Sequence, residues 1–189
     1  MMKKLVSLAL ALVMLASLLS GISLAEDAKK YTDSYVKVAA SAQASDTLAL
    51  FQRPDITTYG ATVAAAEKAY AMAGITAKDI QVAEVHDVYS VGGIMALQDL
   101  GFYKKGEAGK AMLNGECHFD SGKVAINTSG GLKARGHPIG ATGVAQIVEI
   151  AEQLRGRADK RQVKDAKYGL AQNVGGTGSA VTVNILEAI

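Results

Sequence analysis

Three segments of this chain gather the side chains best suited to acid–base and oxyanion chemistry. They are Glu84-Val85-His86-Asp87-Val88-Tyr89, the long run from Asn127-Thr128-Ser129-Gly130-Gly131 to Gly136-His137-Pro138, and Gln172-Asn173-Val174-Gly175-Gly176-Thr177-Gly178. Two of the three histidines fall within them. His137 sits between a glycine, which lets another chain or ligand approach closely, and a proline, which fixes the direction of exit. A histidine held there suits general base work, but the same position suits a histidine that packs or caps under the start of a helix. His86 follows an apolar strand, where it can donate a hydrogen bond to a developing oxyanion or serve as a satisfied core histidine that orients a loop. Cys117 and His118 are neighbours only along the chain, and a catalytic pair must meet in space, so both read as incidental.

The glycine loops do not carry a nucleotide fingerprint. Gly176-Thr177-Gly178 leads into a strand pattern, whereas a dinucleotide loop opens a helix. The run from Gly136 to Gly143 does open a helix but lacks the Gly-Lys-Ser/Thr ending of a phosphate loop. A helix start can still favour a nearby anionic group. Acids and bases are interspersed to a net charge of +2, and aromatics make up 5%, so the basic stripe of a nucleic-acid binder is missing. A single cysteine excludes an internal disulfide framework and a cysteine-rich metal site.

The elements that must position these loops follow from periodicity. Strands are expected over residues 35–41, 80–85, 124–127, 168–172 and 180–186, the last alternating Val181, Val183 and Ile185 with Thr182 and Asn184. Helices are expected over residues 59–73, with Val63, Ala66, Tyr70 and Ala73 on one face, over 90–100, capped by Ser90, and over 139–155, with Val144, Ile147, Val148, Ala151 and Leu154 as its apolar positions. Residues 45–58 and 173–179 read as loops, and 104–123 as a charged insertion without periodicity. Strands alternating with helices make an α/β domain with a partly parallel, five-stranded mixed sheet, and the short link between the final two strands makes that pair antiparallel. The N-terminus stands apart. Met1-Met2-Lys3-Lys4, an apolar stretch over 5–19 and small residues up to Ala25 have the layout of a secretory leader, giving domains of 1–25 and 26–189. Such a leader implies export or membrane association.

Taken together, the loops resemble those of the thiolase family. Asn127-Thr128-Ser129-Gly130-Gly131 followed by Gly136-His137-Pro138-Ile139-Gly140-Ala141-Thr142-Gly143 is similar to the central thiolase signature, and Glu84-Val85-His86-Asp87 is similar to the sterol-carrier-protein-type branch with its archaeal and bacterial acetyl-CoA acetyltransferase relatives. The resemblance implies the second of two layered α/β/α halves, which would need an N-terminal thiolase half or an oligomer to work. It implies acyl-CoA as substrate, no separate cofactor and a cytoplasmic location, at odds with the leader. It makes His137 the base for a cysteine supplied by the first half and His86 a ligand of the thioester oxygen. Ser129, Gly130 and Gly131 would lie along the coenzyme A arm, and Asn127, Asn173, Gly175 and Gly176 complete the substrate-binding candidates. The family's second, acid–base cysteine would fall at Val88 or Asn173, neither of which transfers protons at neutral pH, and relatives commonly carry histidine where this chain has Gln172.

Overall fold

Alternation of small apolar and polar residues makes a ten-residue strand, β1 (Val36–Ser45), in which Ala40, Ala42 and Ala44 are buried while Ser41, Gln43 and Ser45 are exposed. The computed structural model describes residues 28–120 and 123–189, so the leader expected at residues 1–25 lies outside the described residues. The chain divides into an N-terminal unit, residues 1–35, and a second unit, residues 36–189. In the first, the described residues form a turn in which the Tyr31 and Thr32 amides donate to the Ala28 carbonyl.

The second unit contains α1 (Gly60–Ala73), β2 (Val82–Glu84), α2 (Ser90–Asp99), α3 (Ala108–Leu113), β3 (Ala125–Ile126), α4 (Gly131–Arg135), α5 (Thr142–Leu154), β4 (Tyr168–Gly175) and β5 (Ala180–Ala188). The five strands form one mixed sheet in the order β1-β5-β4-β2-β3. β2 runs parallel to both β3 and β4, while β5 is antiparallel to β4 and to β1. Hence the C-terminal ends of β2, β3 and β4 share one edge, and the three chemically distinctive segments all leave from it.

Helices cover both faces, giving a three-layered α/β/α arrangement. On one face α1 packs on β1 and β5 through Ala61, Ala65, Ala66 and Ala69, whose small side chains allow close approach, and Leu97 and Leu100 of α2 extend the same core. On the other face Ile150 and Leu154 of α5 meet Val82, Ala125, Ala171 and Leu186. Gly169 is required there, because a Cβ at that position would collide with the Ile150 side chain.

Several boundaries differ from the pattern in the sequence. The 104–123 insertion contains α3, and the 128–138 loop contains α4; both are too short for helical periodicity to show. β4 continues to Gly175, so Asn173 and Gly175 lie in the ladder opposite Thr182 and Ala180 rather than in a loop. Ser90 does not cap α2. Tyr89 holds the cap position without a side-chain bond, and Ser90 is the first helical residue. In α1 the buried face is the alanine stripe with Thr62, leaving Val63, Tyr70 and Ala73 at its margin. In α5, Val144 and Val148 are exposed, while Thr142, Gln146, Glu149 and Gln153 are buried. No helix among the described residues is long and apolar enough to cross a membrane.

Candidate functional site

The shared strand edge brings His86 and His137 together. Their ring centroids are 4.9 Å apart with the planes nearly perpendicular. The loops that hold them are tied by buried polar side chains. Gln172, fully buried, accepts the His86 amide through Oε1 (2.9 Å) and donates to Thr62 Oγ1 (3.1 Å). Gln146 reaches across from α5. Its Nε2 donates to the Gln172 carbonyl (2.9 Å), and its Oε1 accepts from Asn173 Nδ2 (2.9 Å). One α5 side chain therefore fixes the end of β4, and the Asn173 amide is committed to that network.

The central loop is anchored as tightly. Asn127 adopts φ 51°, a left-handed conformation that asparagine tolerates, and its Oδ1 accepts the Val85 amide at 2.7 Å. Asp87 Oδ1 accepts the Leu132 amide at the start of α4 (2.7 Å). Gly131 has φ 66°, and a Cβ there would strike both the Asp87 carboxylate and the Asn127 amide, so glycine is the residue this junction admits. Glu84, fully buried at the end of β2, accepts the Ser129 amide (3.1 Å) and hydroxyl (2.6 Å), and Arg135 Nη2 lies 3.6 Å from its Oε2. Burial drives the Glu84 carboxyl above its ordinary range, and the bonds from Ser129 oppose that shift. Glu149 anchors the next layer, accepting Thr128 Oγ1 (2.9 Å) and a two-pronged pair from Arg161 (2.9 Å each). Burial acts to raise the Glu149 carboxyl, and the bonds from Arg161, Thr128 and Gln153 outweigh it, leaving it below the usual value.

The two histidines have different chemistry. His86 is 6% exposed, and its Nδ1 is buried without a hydrogen-bond partner. Burial, followed by the neighbouring His137, pushes its pKa down to about 4, so the ring is neutral at pH 7 and retains one N–H to donate. His137 lies on the exposed turn, with Nδ1 2.6 Å from Thr142 Oγ1. The Thr142 hydroxyl is also within reach of the Pro138 carbonyl (3.2 Å), and with its hydrogen directed there Nδ1 donates to Oγ1 and the free lone pair of His137 is on Nε2.

The depressed His86 pKa has a measurable consequence. The folded state takes up the His86 proton only near pH 4, while the unfolded chain takes it up near pH 6.5, so stability is lost as pH falls through that window. Allowing for solvent screening at the cleft, the loss amounts to about 1–2 kcal/mol. In urea unfolding between pH 7 and pH 4.5, the wild type is expected to lose about that much stability relative to His86→Asn. Equal pH dependence in both would remove the neutral, buried His86 from this account.

The remaining candidates take their places around this pair. Ser129, Gly130 and Gly131 form the turn into α4, and the exposed Gly175 and Gly176 lie at the end of β4 and just beyond it. His86 lines an open groove of about 640 Å³ that continues to Val88, Tyr89, Val174 and Gly176. Cys117 and His118 line a different cavity, of about 430 Å³, between α2, α3 and the central loop. Burial raises the Cys117 thiol, which donates to Tyr103 at 3.5 Å, so it is a weak nucleophile in place. No group of His, Cys, Asp and Glu among the described residues is arranged to hold a metal ion. Sequence reading passed over Thr142, Gln146 and the Glu84–Arg135 pair. The available signal was the spacing of Thr142, Gln146, Glu149 and Gln153, which puts polar groups along one side of a helix that otherwise looks simply apolar.

A layered α/β/α half-domain with a Gly-His-Pro turn facing a His-Asp loop across parallel strand ends is the thiolase type of half. The chain belongs to the thiolase C-terminal domain-like family, whose profile matches residues 42–188. It is 54% identical over 163 residues to the acetyl-CoA acetyltransferase of Methanothermobacter thermautotrophicus, covering 86% of this chain and 42% of that protein. It is 43% identical over 123 residues to sterol carrier protein 2 of Bos taurus, covering 65% of this chain and 22% of that protein. Among solved structures, the Ltp2-ChsH2(DUF35) aldolase superimposes with a TM-score of 0.72 at 25% identity, over 81% of this chain and 39% of that one. The chain thus spans less than half the length of these relatives.

Proposed function

We propose that this chain is the histidine-bearing half of an acyltransferase that acts on acyl-CoA thioesters, with the attacking cysteine coming from an N-terminal half. The observation that supports this most directly is the pairing of a neutral, buried His86 with a His137 whose Nδ1 is occupied by Thr142, their rings 4.9 Å apart. In the reaction, the cysteine thiol gives its proton to His137 Nε2, and the thiolate attacks the thioester carbonyl carbon. The carbonyl oxygen takes the electron pair and is held by the N–H of His86. Collapse of that intermediate breaks the carbon–sulfur bond to coenzyme A, and the departing thiolate recovers the proton from His137. The result is an acyl cysteine and free coenzyme A.

The face for the N-terminal half is the outer side of α5, where Ile139, Val144 and Val148 are exposed beside a depression of about 440 Å³ that reaches Asn173, Thr182 and Asn184. Mixing the chain with an N-terminal thiolase half and acetyl-CoA is expected to yield an acylated cysteine and one equivalent of free coenzyme A. A verified complex that shows neither would overturn the reading. A second reading, a module that binds acyl-CoA or a protein without catalysis, draws on Val88 and Asn173, since Asn173 serves Gln146 and neither side chain carries a transferable proton. It predicts acetyl-CoA binding by calorimetry together with an unmodified cysteine.

A further inference from the structure

The groove that starts at His86 has a composition suited to one part of a thioester only. Its walls are Leu50 and Ile56 from the segment before α1, Val88 and Tyr89 from the His-Asp loop, and Val91 and Met95 from α2. Leu50, Ile56, Tyr89 and Val91 are each about half to two-thirds exposed, a cluster of open apolar surface that isolated surface residues do not produce. Among the described residues none of its lining groups is an aspartate, glutamate, lysine or arginine, so no charged side chain there would pair with the phosphates of coenzyme A. At its inner end is His86, whose Nδ1 is buried without a partner. The outer wall is held in place by its own bonds: Arg53, buried, donates twice to the Thr47 carbonyl (3.0 and 2.8 Å), and Thr177 Oγ1 donates to the Leu48 carbonyl (2.8 Å). At about 640 Å³, the volume is that of a site for a molecule of drug size, and an acetyl group would leave most of it to water.

The structure assigns this groove to the hydrocarbon tail of the acyl group, and so to thioesters of medium-length or longer acyl chains rather than acetyl alone. This rests on the acyl-transfer reading, because it takes the thioester oxygen to lie at His86. Val88 then has a positive role: at a position where the family can place its acid–base cysteine, this chain has a valine that extends the apolar wall.

The test uses the 189-residue chain and N-acetylcysteamine thioesters of acetate, butyrate, hexanoate and octanoate, which carry the thioester without the nucleotide. Binding is followed by amide chemical shifts. Each methylene buried in the groove is expected to tighten binding about fourfold, with the largest shifts at Val88, Val91 and Gly176. The doubly substituted Ile56→Asp, Val91→Asp chain changes two exposed positions and is expected to fold normally and bind all four probes alike. Equal affinity for acetyl and octanoyl probes in the wild type overturns the assignment, as does a length dependence that the double variant retains. Exclusion of the octanoyl probe by an added N-terminal half also overturns it, since the groove would then be a protein contact. Cysteine acylation with no length dependence would remove the groove and leave the catalytic reading standing. Length dependence without acylation would do the reverse.

Discussion

Replacing His137 with alanine is expected to slow acylation of the first-half cysteine by about 10²–10⁴, the usual contribution of a positioned general base. The measurement is single-turnover release of coenzyme A from acetyl-CoA by the assembled halves. The argument depends on the ring's attachment. Nδ1 is fixed by Thr142, a buried side chain in the first turn of α5, so Nε2 faces outward as the basic atom. Thr142→Val removes that partner while keeping the shape, and is expected to cost about tenfold by letting the wrong tautomer form. Raising the pH should restore rate to His137→Ala, because a cysteine with a pKa of about 8.5 then ionises without help. An unchanged rate in His137→Ala would mean that the cysteine is activated elsewhere.

How much of this site the sequence revealed depends on the range of each interaction. The order of strands and helices, the mixed five-stranded sheet and the convergence of three loops were readable because alternation, helical period and glycine stops are local signals. The separation of His86 and His137, 51 positions apart in the chain, could be inferred only through the rule that parallel strands direct their ends to one edge. What stayed hidden were the helix faces. The valines of α5 look like core positions, yet Val144 and Val148 are exposed while Gln146, Glu149 and Gln153 are buried. Periodicity shows that a helix has two unlike sides but not which side meets which neighbour. Here Gln146 ties the ends of β2 and β4, Glu149 and Gln153 bond to Thr128, Arg161 and Val163, Ile150 and Leu154 pack on the sheet, and Val144 and Val148 are left for another surface. α3 and α4 were missed because five or six residues make too few turns to show a period.

Another buried polar group at this edge, Glu84, provides the other large effect. Glu84→Ala is expected to destabilise the chain by about 3 kcal/mol in urea unfolding, because it strands the Ser129 hydroxyl and amide and leaves Arg135 beside an empty, water-poor site. Glu84→Gln keeps an acceptor for Ser129 and should lose about 1 kcal/mol. The sign of its pH dependence distinguishes it from His86. Burial raises the Glu84 carboxyl in the folded state, so folding favours its neutral form, and its contribution to stability declines as pH rises from the unfolded value through the folded one. His86 contributes in the opposite sense, losing stability as pH falls. The wild type should therefore show a flatter acid limb than either single variant. Glu84→Gln should lose stability more steeply than the wild type on acidification, and His86→Asn should gain it. Arg135 lies two residues before His137, so Glu84→Ala should also shift the His137 ring signals in NMR while leaving those of α1 in place. A stability loss without movement at His137 would confine Glu84 to the β2 core and separate it from the Gly-His-Pro turn.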